Sequence, residues 1–209
     1  SFLQYFSFTR GLSVSTSLPD LPKWISPAMQ GLAFWIGHRR SLFRGYPLSE
    51  GALVAETCNL IQANKPDDLI LMPERMYKNL VPAGVRVEKM GALARADLVL
   101  CKNAKEAIGW EGNISEHTKF VIEVKRGNAS KRSIDKDLLR LHSFLNAKAQ
   151  DARCFLLIAS EGMVSRRFIY EGIAIRGQHQ IPNCNGHYCV RRVVKAAASL
   201  KKRSAAHYV

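Results

Sequence analysis

The chain has 209 residues, 47% of them hydrophobic, and carries 31 lysines and arginines against 17 acids, a formal charge of +14. This length and apolar content fit one globular domain with appendages, or at most two small ones, and exclude a membrane-spanning helix: no apolar run approaches the roughly 18 residues one needs. "GLAFWIG" (31–37) is short and flanked by His38, Arg39 and Arg40. So large a positive excess points to a polyanionic partner, nucleic acid before an anionic membrane face. No n-region, h-region and cleavage pattern follows Ser1 in order, so a cytoplasmic location is expected.

Residues 1–25 mix aromatics, Ser and Pro without a clear period and read as a lead-in that packs or drapes. Ser26 as N-cap and Pro27 in the first helical position predict a helix running to about Gly45. Ser49 caps a second helix, "EGALVAETCNLIQANK", with Leu53, Val54, Leu60 and Ile61 gathered on one side. Strands are then expected at 69–77, 84–90, 94–101 and 119–126, separated by Pro and Gly. Over 133–150 the spacing of Ile134, Leu138, Leu141 and Leu145 predicts a helix capped by Ser133, and 152–160, apolar throughout, predicts a central strand covered on both faces. Segments 166–175 and 187–197 add edge strands, the latter alternatively a terminal helix. The implied organisation is a lead-in with one helix (1–48), an α/β core (49–180) and a basic C-terminal extension packed on it (181–209), with a mixed central sheet flanked by helices.

Basic residues cluster at 38–44, 124–132 and 191–203 rather than in one terminal block. The five cysteines are odd in number and sit mostly in apolar segments, as reduced buried thiols do. "HQIPNCNGHYC" (179–189) gathers His179, Cys184, His187 and Cys189, but it lacks paired C-x2-C or H-x3-H spacing, and "NG" favours a hairpin turn over a zinc site.

Chemistry concentrates in "KFVIEVKRG" (119–127). Side chains alternate along a strand, so Glu123 and Lys125 share one face while Ile122 and Val124 occupy the other. Upstream, Asp97 opens the strand "ARADLVLC", with 25 residues between it and Glu123. If the two strands are neighbours the carboxylates converge, and they repel unless a cation compensates or a proton is shared. Mg2+, with Mn2+ as a substitute, suits a few carboxylates plus waters and a phosphate. Lys125 beside the ion could orient or deprotonate a water, or stabilise developing charge.

The pattern Asp97, then Glu123-Val124-Lys125, between a preceding helix and a following helix and strand, resembles the PD-(D/E)xK nuclease superfamily over about residues 49–160. Ala96 stands where the motif's name has proline, and the 25-residue spacing is long for it. The resemblance implies a restriction-endonuclease-like core and a Mg2+-dependent endonuclease acting on DNA in restriction, phage defence, repair or mobile elements. Asp97, Glu123 and Lys125 would be catalytic, with Asp97 and Glu123 holding the metal. A helix glutamate would assist, Glu56 or Glu50, with mid-helix Glu56 slightly preferred and Glu74 a weaker third. Arg126, Lys131 and Arg132, together with Arg39 and Arg40, are candidates for phosphate contacts. Trp35, Tyr46 and Trp110 could stack on bases. A homodimer or larger complex is compatible with cutting both strands; a non-catalytic nucleic-acid-binding protein on the same fold and a ribonuclease are the alternatives.

Overall fold

The computed structural model describes residues 2–8, 20–43, 46–88, 90–102, 112–148, 152–161, 165–171, 173–199 and 204–208. Its elements are β1 (Phe2–Phe8), α1 (Ile25–Leu42), α2 (Glu50–Asn64), β2 (Leu69–Met76), β3 (Arg95–Lys102), β4 (Thr118–Arg126), α3 (Lys131–Ala147), β5 (Arg153–Ser160), β6 (Ile169–Tyr170), β7 (Ile173–Ala174), β8 (Gly177–Gln180), β9 (His187–Ser199) and β10 (Ser204–Tyr208).

Helix boundaries follow local chemistry. The Ser49 hydroxyl accepts the Ala52 N–H at 3.1 Å and starts α2, as the sequence predicts. For α3 the cap is Ser130 rather than Ser133: the Ser130 hydroxyl accepts the Ser133 N–H at 3.1 Å, which carries Lys131 and Arg132 into the first turn. Helix α1 begins one residue before Ser26, leaving Pro27 in the first turn, where its missing N–H removes no helical bond.

Strands β2, β3 and β4 form an antiparallel meander, and β4 then pairs β5 in parallel through the α3 crossover. The described residues place these strands in an eight-stranded sheet ordered β10-β9-β1-β5-β4-β3-β2, with β8 on β9. This is a mixed α/β sheet flanked by helices. Alternation along β5 feeds two apolar layers: Cys154, Leu156 and Ile158 pack toward α3, and Phe155, Leu157 and Ala159 pack toward α1 and α2. Each such aliphatic side chain withdrawn from water contributes about 1.5–3 kcal/mol.

Three expected segments differ. The lead-in contributes β1, inserted antiparallel between β5 and β9. The segment 84–90 forms no strand in its described residues. Because β2 pairs β3 directly from Leu69↔Lys102 to Met76↔Arg95, that segment belongs to the connection between them rather than to the ladder, and it opens on a turn with the Val85 N–H on the Pro82 carbonyl. The region 166–175 forms the separate β6–β7 hairpin rather than an edge of the main sheet. Residues 187–197 are strand, not helix.

Candidate active site

The register of the meander decides the site. Leu98 pairs with Ile122, so Asp97 and Glu123, one step further along each strand, face each other across β3 and β4. Leu98, Ile122 and Val124 enter the α1/α2 layer, which leaves Asp97, Glu123 and Lys125 together on the α3 side. On the other neighbour of β3, the pairs Pro73↔Leu98 and Arg75↔Ala96 bracket Glu74 opposite Asp97. Glu74 is exposed and holds φ at 54°, a left-handed conformation uncommon for a residue with a side chain.

Glu123 is the most enclosed acid, with its side chain 2% exposed. Tyr77, buried just after β2, donates its hydroxyl to Glu123 Oε1 at 2.6 Å, and Arg140 Nη1 lies 3.6 Å from the same oxygen. Asp97 Oδ2 accepts the Val124 N–H at 2.7 Å. Lys125 Nζ reaches Glu50 Oε1 at 2.9 Å and Asp137 Oδ2 at 3.6 Å. Asp137, only 4% exposed, also meets Arg140 Nη1 at 3.1 Å through Oδ1, while its buried Oδ2 has no hydrogen bond. Two cations thus alternate with carboxylates from four elements, α2, β3, β4 and α3.

Burial and mutual repulsion set the protonation. Glu123 is pushed well above the carboxylate range by desolvation and then by Asp97 and Asp137, against which the Tyr77 hydrogen bond and Arg140 pull down. Asp97 is raised by desolvation, opposed by the Val124 N–H, Lys125 and hydrogen bonding with Glu123. Asp137 is raised by desolvation, opposed by Lys125 and Arg140. Burial alone would lower Lys125, but Glu50, Asp137 and Asp97 outweigh it and hold the ammonium above its ordinary value. Tyr77 is raised well above the phenol range by burial and by Glu123.

Of the two helix acids, Glu50 is the one brought to the cluster; Glu56, six residues on, projects about 120° away around α2. The Glu74 charge raises Asp97, whereas Arg75 turns inward and donates to the Gly112 carbonyl. Lys131, Arg132 and Arg40 are exposed. Arg39 and Arg126 hold backbone instead: Arg126 donates to the Leu48 carbonyl at 2.9 Å, and Arg39 to those of Tyr46 and Pro47. Trp35 packs on the α1/α2 layer, Tyr46 is exposed, and Trp110, like Arg44, lies outside the described residues.

Tyr77, Asp137 and Arg140 escaped the sequence reading. Asp137 had a signal: it falls on the apolar stripe of α3, three after Ile134 and four before Leu141, where an acid needs a buried partner.

As they stand, no three or more Asp, Glu, His or Cys side chains among the described residues are grouped to hold a metal ion. The Asp97–Glu123 pair nevertheless fits an open magnesium site, which takes one or two carboxylates and completes its shell with water and phosphate. The 179–189 segment is the β8–β9 hairpin, closed by the Ile181 N–H on the Gly186 carbonyl at 2.8 Å, with Cys189 buried and the Gly186 N–H on Cys184 Sγ. The five cysteines are unbridged. Among the described residues no helix is long and apolar enough to cross a membrane.

These features define a mixed α/β protein with a mutually repelling carboxylate pair, Glu123 buried and Asp97 half-buried, flanked by lysine and arginine. No protein-family model matches the chain, and comparison with curated proteins finds no match. Among solved structures it is similar to NucC of P. aeruginosa ATCC27853 in its cAAA-bound form, with a TM-score of 0.39 and 12% identity over 83% of this chain and 60% of that one. The chain therefore spans less than two thirds of that protein, and similarity at this level says nothing about activity.

Proposed function

We propose that the chain is a divalent-metal-dependent nuclease that hydrolyses phosphodiester bonds of DNA, an endonuclease of a restriction, phage-defence or mobile-element system. One observation carries the reading: Asp97 and Glu123 oppose each other on adjacent strands with Lys125 on the same face. Their raised proton affinities describe a site short of positive charge, which a hard cation would relieve. Asp97 and Glu123 would hold Mg2+, or Mn2+ in its place, with Glu50 at hand in the first turn of α2. Bound there, the ion would neutralise phosphate charge and acidify water.

The chain's own groups do the rest. Lys125 orients the attacking water and donates to phosphate oxygen; Asp137 and Arg140 keep it and Glu123 in place. Exposed Lys131 and Arg132 at the α3 N-terminus, with Arg40, supply charge for flanking phosphates. The active unit is residues 49–180, flanked by 1–48 and 181–209, working in the cytoplasm, as a dimer where both strands are cut.

The test is incubation of supercoiled plasmid, linear duplex, single-stranded DNA and RNA with Mg2+, Mn2+ or EDTA, using wild type, Glu123→Ala and Lys125→Ala. Metal-dependent plasmid nicking lost in both variants is expected; cutting of RNA alone would replace the substrate. A non-catalytic nucleic-acid binder is the second reading, favoured by the engagement of Glu123 Oε1 with Tyr77 and Arg140. It predicts salt-sensitive binding with no cutting under any metal.

A further inference from the structure

The stretch before α2 is held unusually from two sides. Tyr46, Pro47 and Leu48 present three consecutive carbonyls to guanidinium groups: Arg39 Nη1 to Tyr46 at 3.2 Å, Arg39 Nη2 to Pro47 at 3.3 Å, and Arg126 Nη1 to Leu48 at 2.9 Å. Glu161, directly after β5, completes the frame. Its Oε1 meets Arg39 Nη1 at 3.3 Å and its Oε2 takes the Leu48 N–H at 3.5 Å. Leu48 itself is buried in the α1/α2 layer. Groups from α1, from the end of β4 and from the end of β5 thus converge on three residues.

Next in the chain come Ser49, the cap of α2, and Glu50, whose carboxylate sits 2.9 Å from Lys125 Nζ. Arg126 is the neighbour of Lys125, so alternation sends it to the opposite side of the sheet, with Val124 and toward Leu48, away from the carboxylates. A phosphate at the Asp97–Glu123 face is on the wrong side for it.

We propose that Arg39, Arg126 and Glu161 form a clamp that positions Glu50 against Lys125, and that Arg39 and Arg126 are positioning residues rather than phosphate contacts. A guanidinium suits this task because its planar fork donates to more than one carbonyl in fixed geometry, which a lysine ammonium does not. The inference rests on the nuclease reading only for its effect on turnover; the clamp itself is a statement about where Glu50 stands.

Three measurements separate these. In metal-free buffer at a single pH, the acylation rate of Lys125, read by peptide mass spectrometry, should rise several-fold in Arg126→Gln and in Glu50→Gln. The double variant should show no further rise, because the clamp acts through Glu50. A wild-type rate in Arg126→Gln, or additive effects in the double variant, overturns the clamp whether or not the protein cuts DNA. Duplex binding in EDTA across a salt series should give Arg126→Gln the wild-type slope; a slope smaller by about one unit would make Arg126 a phosphate contact and overturn the proposal. Under the nuclease reading, kcat falls about ten- to a hundredfold with KM for DNA unchanged, and Arg126→Lys restores little of it. Raised KM with kcat retained contradicts the clamp. Should Arg126→Gln fail to fold, Glu161→Gln carries the same labelling measurement with the same two outcomes.

Discussion

Tyr77→Phe tests the electrostatics of the site without disturbing its packing. The ring stays against Phe144, centroids 5.6 Å apart, and no cavity opens; what is lost is the hydroxyl donated to Glu123 Oε1 at 2.6 Å inside the core. A hydrogen bond to a charged group contributes about 1.5–3 kcal/mol, and one between neutral groups about 0.5–1.5 kcal/mol. In a chain of this size each kcal/mol moves Tm by roughly 2–4 °C, so a loss of about 2 kcal/mol lowers it by about 4–8 °C. The sign with pH follows from linkage. The Tyr77 bond lowers the raised pKa of Glu123, so its removal raises that pKa further. The cost of the substitution is therefore greatest at alkaline pH, where Glu123 is ionised, and shrinks as pH falls through the Glu123 titration. Thermal denaturation of both proteins at intervals from acid to alkaline pH reads it. A loss that is the same at both ends, or no loss at all, refutes the Tyr77–Glu123 bond as a charge-assisted one.

In metal-free buffer the raised values of Asp97, Glu123 and Asp137 mean that the folded state binds more protons than the unfolded one above the ordinary carboxylate range, so stability falls as pH rises through their folded pKa values. Glu123→Gln should accordingly raise Tm at neutral pH and leave it unchanged in acid, measured calorimetrically; a lower Tm at neutral pH would contradict a burial cost that outweighs the Tyr77 and Arg140 contacts of Glu123. Magnesium at a hundred times its dissociation constant should add about 2.7 kcal/mol to wild-type stability and nothing to Asp97→Asn, by urea denaturation. Gly127→Ala should cost about 1–3 kcal/mol, because a Cβ there would stand 2.5 Å from Ser160 Cβ and 3.1 Å from its Cα; Ser160→Gly in the same chain should recover part of it.

Apart from the strand expected at 84–90, the helix-strand order from Ser49 to Ser160 was legible because the Ser49 cap and apolar periodicity act locally, and the strand of Glu123 and Lys125 carried its own facing in its alternation. What lay outside local signals was lost. Whether "FLQYFSF" drapes or joins the sheet depends on an open edge of β5 more than 140 residues away. Segment 84–90 has strand composition, but its described residues serve as the connection between β2 and β3, which pair with each other directly. Charge misled in one respect: Arg39 and Arg126 belong to basic runs that suggest phosphate, yet their donors go to the 46–48 carbonyls. Glu50 and Glu56 could not be separated by periodicity, because the contact with Lys125 is set by how the α2 N-terminus is held.

The reading stands on whether one divalent ion is bridged by Asp97 and Glu123. A crystal soaked in manganese, with the ion placed by its anomalous signal, measures this directly. The expected result is a peak within coordination distance of both carboxylates, with Glu123 drawn from Arg140 and Lys125 on the same face. A peak elsewhere, or Glu123 still held by Tyr77 and Arg140 with no ion beside it at saturating manganese, would contradict it.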